Sequence, residues 1–226
     1  MRFSLGYDAT ETGAYEIMLG KIALITTLLT LSASIMAADQ EWRFRVYLDD
    51  KEIGYHDFIL QELDDRRMLQ SEANFEYRLM FVKLFGYEHE NTETWVGDCL
   101  TGIRSTTDAN GKPFQVSGSL QGDRFVLSGT AGEVELPSCS MSFAYWNPAF
   151  LQADRLINVQ NGEVLDIEVS EAELVELDVR GVMQPAYRYE LGAGEMKIDL
   201  WYSENNEWLA LETDARGGRR LRYKLH

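Results

Sequence analysis

The sequence predicts an all-β, mainly antiparallel protein: a single β roll or half-open barrel of about ten to twelve strands with one short helix. Three observations predict it. Apolar and polar side chains alternate with period two over most of the chain from Glu41 onward, as in half-buried strands. Turn-forming residues recur between those runs. One segment breaks the alternation, and it carries helix-start chemistry.

In the first run Trp42, Phe44, Val46 and Leu48 alternate with Arg43, Arg45 and Tyr47, which places the first set on a core face. Asp49-Asp50-Lys51-Glu52 turns the chain into Ile53-Gly54-Tyr55-His56. Further on, Phe75, Tyr77, Leu79, Phe81 and Phe85 are expected to share a face. Around Met80-Phe81-Val82 both faces become apolar, which predicts a strand covered on both sides or an apolar rim. Asn110-Gly111 is a hairpin turn between Ile103–Thr107 and Phe114–Ser117. Gln121-Gly122-Asp123 and Ala131-Gly132-Glu133 make two more turns. Ser142–Asn158 is the exception: Asn147 suits an N-cap, Pro148 the first helical position, and Phe150, Leu151 and Ala153 an inward face. After the turn Val159–Glu163, strands are expected over Val164–Val169, Met196–Tyr202, Trp208–Glu212 and Leu221–Leu225.

The N-terminus reads as an export signal. Residues 22–36 form an apolar block that ends in small residues and passes through Ala37-Ala38 into polar chain. That length suits the core of a signal peptide and is short for a spanning helix. Asp8, Glu11 and Glu16 do not suit the region before it, whereas Met18-Leu19-Gly20-Lys21 does. The reading is therefore a start at Met18, residues 1–17 as a gene-model extension, 18–38 as a signal peptide and 39–226 as one exported β domain, periplasmic or secreted. An uncleaved membrane anchor is the alternative. In an exported chain, Cys99 and Cys139 pair more often in a disulfide than they serve as a metal pair or a catalytic thiol. Such a bond would tie the Trp95–Leu100 region to the approach of the helix.

The net charge is −16, and almost all of it lies beyond the leader. Such a surface repels phosphate backbones and anionic headgroups, which argues against nucleic acid as a partner and leaves membrane association transient at most.

Candidate chemistry is thin. His89 lies in His-Glu-x-x-Glu, where a zinc-protease helix would need a second His in place of Glu93; the strand-like surroundings favour a solvated acidic strand end. His56 and Asp57 are adjacent and so point to opposite faces of a strand, which makes His56 a structural or pocket-lining residue before a catalytic one. No phosphate loop, dinucleotide fingerprint, C-x-x-C or G-x-S-x-G occurs, so no cofactor or metal is expected. Arg216, Arg219, Arg220, Arg222 and Lys224 form one basic patch, which either balances acidic neighbours across the sheet or takes an anionic partner.

Several stretches resemble a family of uncharacterised exported bacterial proteins catalogued as a domain of unknown function. They are FRVYLDDKEIG at Phe44–Gly54 with His56, Tyr87–Thr107 with Cys99, Cys139–Glu163 with FAYWNP, and Ile198–Leu211 with LWYS. Members of that family are often encoded near genes for cyclopropane fatty acid synthesis. The resemblance implies a secreted β roll or barrel and brings no reaction or catalytic residues with it.

Three functions compete. The first is a cell-envelope protein that binds a lipid or other apolar small molecule, with Tyr55, His56, Tyr145, Trp146 and Trp201 as candidate contacts. The second is an enzyme on lipid or glycan that uses His56 or His89 with Asp57, Glu88 or Glu90. The third is an interaction module that presents Tyr145, Trp146 and Trp201 as one apolar patch.

Overall fold

The computed structural model describes residues 39–79, 81–215 and 217–226, the Leu79 side chain excepted; the leader and start-site expectations for residues 1–38 lie outside the described residues. The strands run β1 Gln40–Leu48, β2 Lys51–Leu63, β3 Arg66–Leu79, β4 Val82–Val96 and β5 Cys99–Ala109. They continue with β6 Lys112–Gln121, β7 Arg124–Gly129, β8 Gly132–Pro137, β9 Arg155–Ile157 and β10 Val164–Val169. The last are β11 Glu173–Val179, β12 Val182–Ala193, β13 Met196–Tyr202, β14 Trp208–Ala215 and β15 Arg219–Leu225.

All 15 belong to one antiparallel sheet, in the order β8 to β1, then β15 to β12, then β10 and β9, with β11 beside β12. The fold class is as the sequence predicts, with more strands. The extra ones come from charged hairpins: β2 and β3 meet at Asp64-Asp65, and β11, which pairs with β12, carries Glu173, Glu176 and Asp178. Among the described residues β8 and β9 do not pair, so the sheet does not close on itself. It curls nonetheless, since Leu127 and Leu136 near one edge share a core with Leu156, Leu191 and Ile198 near the other. Register shifts at Val46/Tyr47, Tyr77/Arg78, Thr94/Trp95 and Trp201/Tyr202 sharpen the bend, as an extra residue on one strand increases local twist.

The expected core face of β1 is buried at Trp42, Phe44 and Val46. Phe44 lies with its ring 4.3 Å from that of Trp208 and 6.2 Å from that of Phe58. Burying a side chain of this size contributes about 1.5–3 kcal/mol. The face expected from Phe75 to Phe85 is corrected by the β3–β4 turn: Phe75 is core, Phe81 is 97% exposed, and the apolar-rim alternative is the one observed.

The segment between β8 and β9 crosses the seam between the sheet's edges. Its helix is a 3-10 helix of five residues, Pro148–Gln152, and occupies only part of the Ser142–Asn158 segment singled out in the sequence. Asn147 caps it by accepting the Ala149 N–H at 3.1 Å, and the chain returns to an extended conformation at Ala153. Phe150 and Leu151 are buried as expected. Cys99 and Cys139 form a disulfide, and beside it the Leu100 N–H donates to Ser140 O at 3.0 Å. Backbone contact also pins the segment further on: a Cβ on Gly129 would lie 2.7 Å from Asn161 O, so the β7–β8 turn and the loop before β10 meet only because neither has a side chain in the way.

Candidate functional site

The inner face of the sheet carries a polar cluster that follows from register. Phe44 of β1 opposes His56 of β2, His56 opposes Ala73 of β3, Ala73 opposes His89 of β4, and His89 opposes Thr107 of β5. Ala73 is the small residue in this row, and across it the two imidazoles approach to 6.2 Å between ring centroids. His56 stacks on Phe58 at 4.1 Å, and its Nδ1 lies 3.4 Å from the Tyr223 hydroxyl. The neighbouring row stacks Phe75 on Tyr87 at 5.2 Å.

Hydrogen bonding suggests a tautomer for His89. The Thr107 hydroxyl donates to Gln160 O at 3.3 Å, which leaves its oxygen to accept from His89 Nδ1 at 2.7 Å. His89 is then neutral with Nε2 as an acceptor. His56 is different. Its Nε2 is shut off from solvent and has no hydrogen-bond partner among the described residues. Whichever nitrogen holds the proton, one buried polar atom is left unsatisfied, at a cost of about 1–3 kcal/mol.

Electrostatics keep the cluster uncharged. Burial holds the His89 imidazole down to about 4, and burial followed by the proximity of His89 holds His56 well below the usual range. Burial pushes the phenols of Tyr87, Tyr145 and Tyr223 up; Tyr145 and Tyr223 each feel Tyr87 as well. Glu93 sits deeper on the same face of β4, and burial raises its carboxyl. Three donors hold it: Asn91 Nδ2 at 3.1 Å, Ser142 Oγ at 3.0 Å and Trp95 Nε1 at 2.9 Å. No group of residues suited to a metal ion occurs among the described residues.

The rim of this cluster is half-open. Leu48, Tyr77, Tyr87, Leu221 and Tyr223 pack against buried Val46, Ile53, Ala73 and Phe75, and each keeps part of its surface accessible. Tyr145 reaches the cluster from the seam segment, its ring 5.2 Å from that of Trp208. Two surface depressions lie elsewhere. One, about 560 Å³, is lined on the outer face of β1–β5 by residues including Arg43, Asp57, Glu72, Glu90 and Arg104. The other, about 480 Å³, lies at the seam beside Cys139 and Gln152.

The sequence profile described as a domain of unknown function, DUF6134, matches residues 44–226. The chain belongs to that family. No curated protein matches it. A beta-barrel-like protein of domain of unknown function DUF1849 from Brucella abortus, known from its crystal structure, is similar in fold. Its TM-score is 0.58 at 11% identity, covering 83% of this chain and 95% of that one. At such identity the likeness concerns the fold alone.

In this DUF6134 chain the candidate residues separate. His56 and His89 come together on the inner face, and Tyr145 is linked to them through the rings of Trp208 and Phe58. His89 is buried, which corrects the expectation of a solvated strand end; only its neighbours Glu88 and Glu90 face water. Tyr55 points outward and its hydroxyl donates to Glu72. Trp146 is buried, its ring 5.5 Å from that of Trp95 and the Arg67 guanidinium 4.6 Å above it. Trp201 lies near Arg188 on β13, one position out of step with the inner-facing Leu200. The basic C-terminal residues meet acids: Arg220 contacts Asp199, Glu212 and Asp214, and Arg219 contacts Asp49. Sequence reasoning missed Tyr87, Tyr223 and Thr107, whose period-two placement marks a face but not its partner strands.

Proposed function

We propose that this chain is an exported cell-envelope protein that binds an apolar ligand with an uncharged polar head. The head would sit at His56 and the apolar part along Phe75, Tyr77, Tyr87 and Tyr145. The unpartnered His56 Nε2, enclosed by aromatic rings, carries the reading. A hydroxyl, ester or amide would satisfy it. A carboxylate or phosphate would bring a charge into this buried site, and no cation is among the groups that act on His56 to offset it. The disulfide and the sequence of the leader support an oxidising compartment.

Catalysis by His56 or His89 gains no support. Asp57, Glu88 and Glu90 occupy the alternate, outer positions of β2 and β4, and Asp57 instead lies 3.9 Å from Arg43. An interaction patch of Tyr145, Trp146 and Trp201 gains none either, since Trp146 is core.

The test pairs native mass spectrometry of the purified protein with titration by a monoacylglycerol and by the matching fatty acid at neutral pH. The monoacylglycerol is expected to bind, the fatty acid anion roughly tenfold more weakly or worse, and His56→Phe to lose the difference while staying folded. Absence of bound lipid together with no binding of either ligand refutes the proposal. So does a His56→Phe variant that binds as the parent does.

A further inference from the structure

The β3–β4 hairpin ends in an apolar tip that the ligand reading does not use. Phe81 is 97% exposed, Val82 60%, Leu84 50% and Phe85 37%. The register shift at Tyr77/Arg78 interrupts the alternation: Val82 opposes Leu79 and Phe85 opposes Tyr77, so Val82 and Phe85 share one side of the ribbon, Lys83 lies opposite Arg78 on the other, and Leu84 is the extra residue. Phe81, at the turn itself, is left uncovered on every side, as entry of the ribbon's end into a bilayer surface requires.

Charge behind the tip points the same way. Arg78 opposes Lys83 in the register directly below the turn. Lys51 reaches across to donate to Arg78 O at 2.7 Å, and its ammonium lies 4.7 Å from the Tyr77 ring. Arg219 covers the same ring at 4.4 Å. The carboxylates that meet these cations are Glu76, paired with Arg78 and Lys83, and Asp49, paired with Arg219. Asp50 and Glu52 flank Lys51, so the excess of positive charge belongs to the hairpin itself, where Arg78 and Lys83 meet the single carboxylate Glu76. Over a Debye length of about 8 Å at physiological salt, Arg78 and Lys83 weigh more at the tip than the acids elsewhere on the chain.

We propose that this hairpin tip inserts into the surface of an anionic bilayer. Phe81, Val82 and Leu84 enter the acyl boundary, while Arg78, Lys83 and Lys51 lie at headgroup level, where long cationic side chains keep their stems in apolar surroundings and their charges among phosphates. The contact is a small peripheral anchor and does not span. It stands independently of ligand binding, although the pairs Tyr77–Phe85 and Phe75–Tyr87 lead along the inner face from the tip to the histidines.

Flotation with phosphatidylcholine vesicles, with and without phosphatidylglycerol, tests the proposal. The wild-type protein is expected to float with the anionic vesicles and far less with the neutral ones. Phe81→Asp should weaken that partition roughly tenfold or more, with an unchanged circular dichroism spectrum because the site is exposed. Phe81→Trp should keep partition and show a blue-shifted emission on the anionic vesicles. Failure of the wild type to float with either vesicle overturns the proposal, as do equal partition onto both and full partition by Phe81→Asp. An unshifted Phe81→Trp spectrum overturns it too and directs attention to a protein groove instead.

Discussion

Acidification from pH 7 to pH 5 should cost this fold about 2 kcal/mol through His89 alone. The unfolded imidazole titrates near its ordinary 6.5, whereas the native one is held down to about 4 because protonation would place a charge in the core. Between those values the unfolded chain binds the proton and the native chain does not. Stability is therefore full above about 6.5, falls as pH drops through the window and levels off below about 4. Integrated from pH 7 to 5 at about 1.4 kcal/mol per pKa unit, the loss is about 2 kcal/mol, or roughly 4–8 °C in Tm for a domain of this size. His56 is also depressed and acts in the same direction. Glu93 acts oppositely: its raised carboxyl weakens the fold once pH exceeds its unfolded pKa, and that penalty fades on acidification. Comparison with a variant isolates the histidine. Urea unfolding followed by tryptophan fluorescence at pH 7, 6 and 5, on wild type and His89→Gln, should give a pH-dependent loss smaller in the variant by about 2 kcal/mol. Gln keeps a donor for Thr107 but does not titrate. Equal pH dependence in the two proteins would refute the reasoning.

Other perturbations are sharper but simpler. Replacing Cys99 and Cys139 by Ser should lower stability by about 3–5 kcal/mol in the chain-entropy account, and reductant should then no longer shift the urea midpoint. A Cβ at Gly54 would fall 1.8 Å from Asn74 O of the neighbouring strand, so Gly54→Ala should cost about 3 kcal/mol or more. Gly97→Ala, with nothing near its Cβ, should lose only about 1–2 kcal/mol by thermal melting, because φ is +57 there. Glu93→Ala should lose about 3 kcal/mol by stranding the Asn91, Ser142 and Trp95 donors, whereas Glu93→Gln should lose clearly less. Equal losses for the two Glu93 variants would show that those hydrogen bonds are not what holds the site.

Legibility varied with the range of the interaction concerned. The Asn110-Gly111 turn could be read because both residues take positive φ, which few other pairs tolerate. The β2–β3 turn at Asp64-Asp65 has no such signature, and its long strands could not be read from their charged alternation. The outward placement of Asp57 against His56 followed from strand geometry alone, and the structure agrees. The burial of His89 did not follow, because its neighbours Glu88 and Glu90 give the segment an aqueous appearance while period two hides the one residue facing in.

What the amino-acid order determined by itself is local and periodic: an antiparallel β class, the core face of β1, the cap at Asn147 and a cysteine pair suited to bonding. These depend on a residue and its near neighbours, where sterics and alternation act without knowledge of the rest. Which strand lies beside which, and in what register, was decided only in three dimensions. His56 and His89 meet because Ala73 stands between them on a third strand. Tyr223 joins them from β15 across β1, and Tyr145 because the seam segment folds over the sheet onto Trp208. The site is a product of long-range register, and the energy that sets it is spread over the whole sheet.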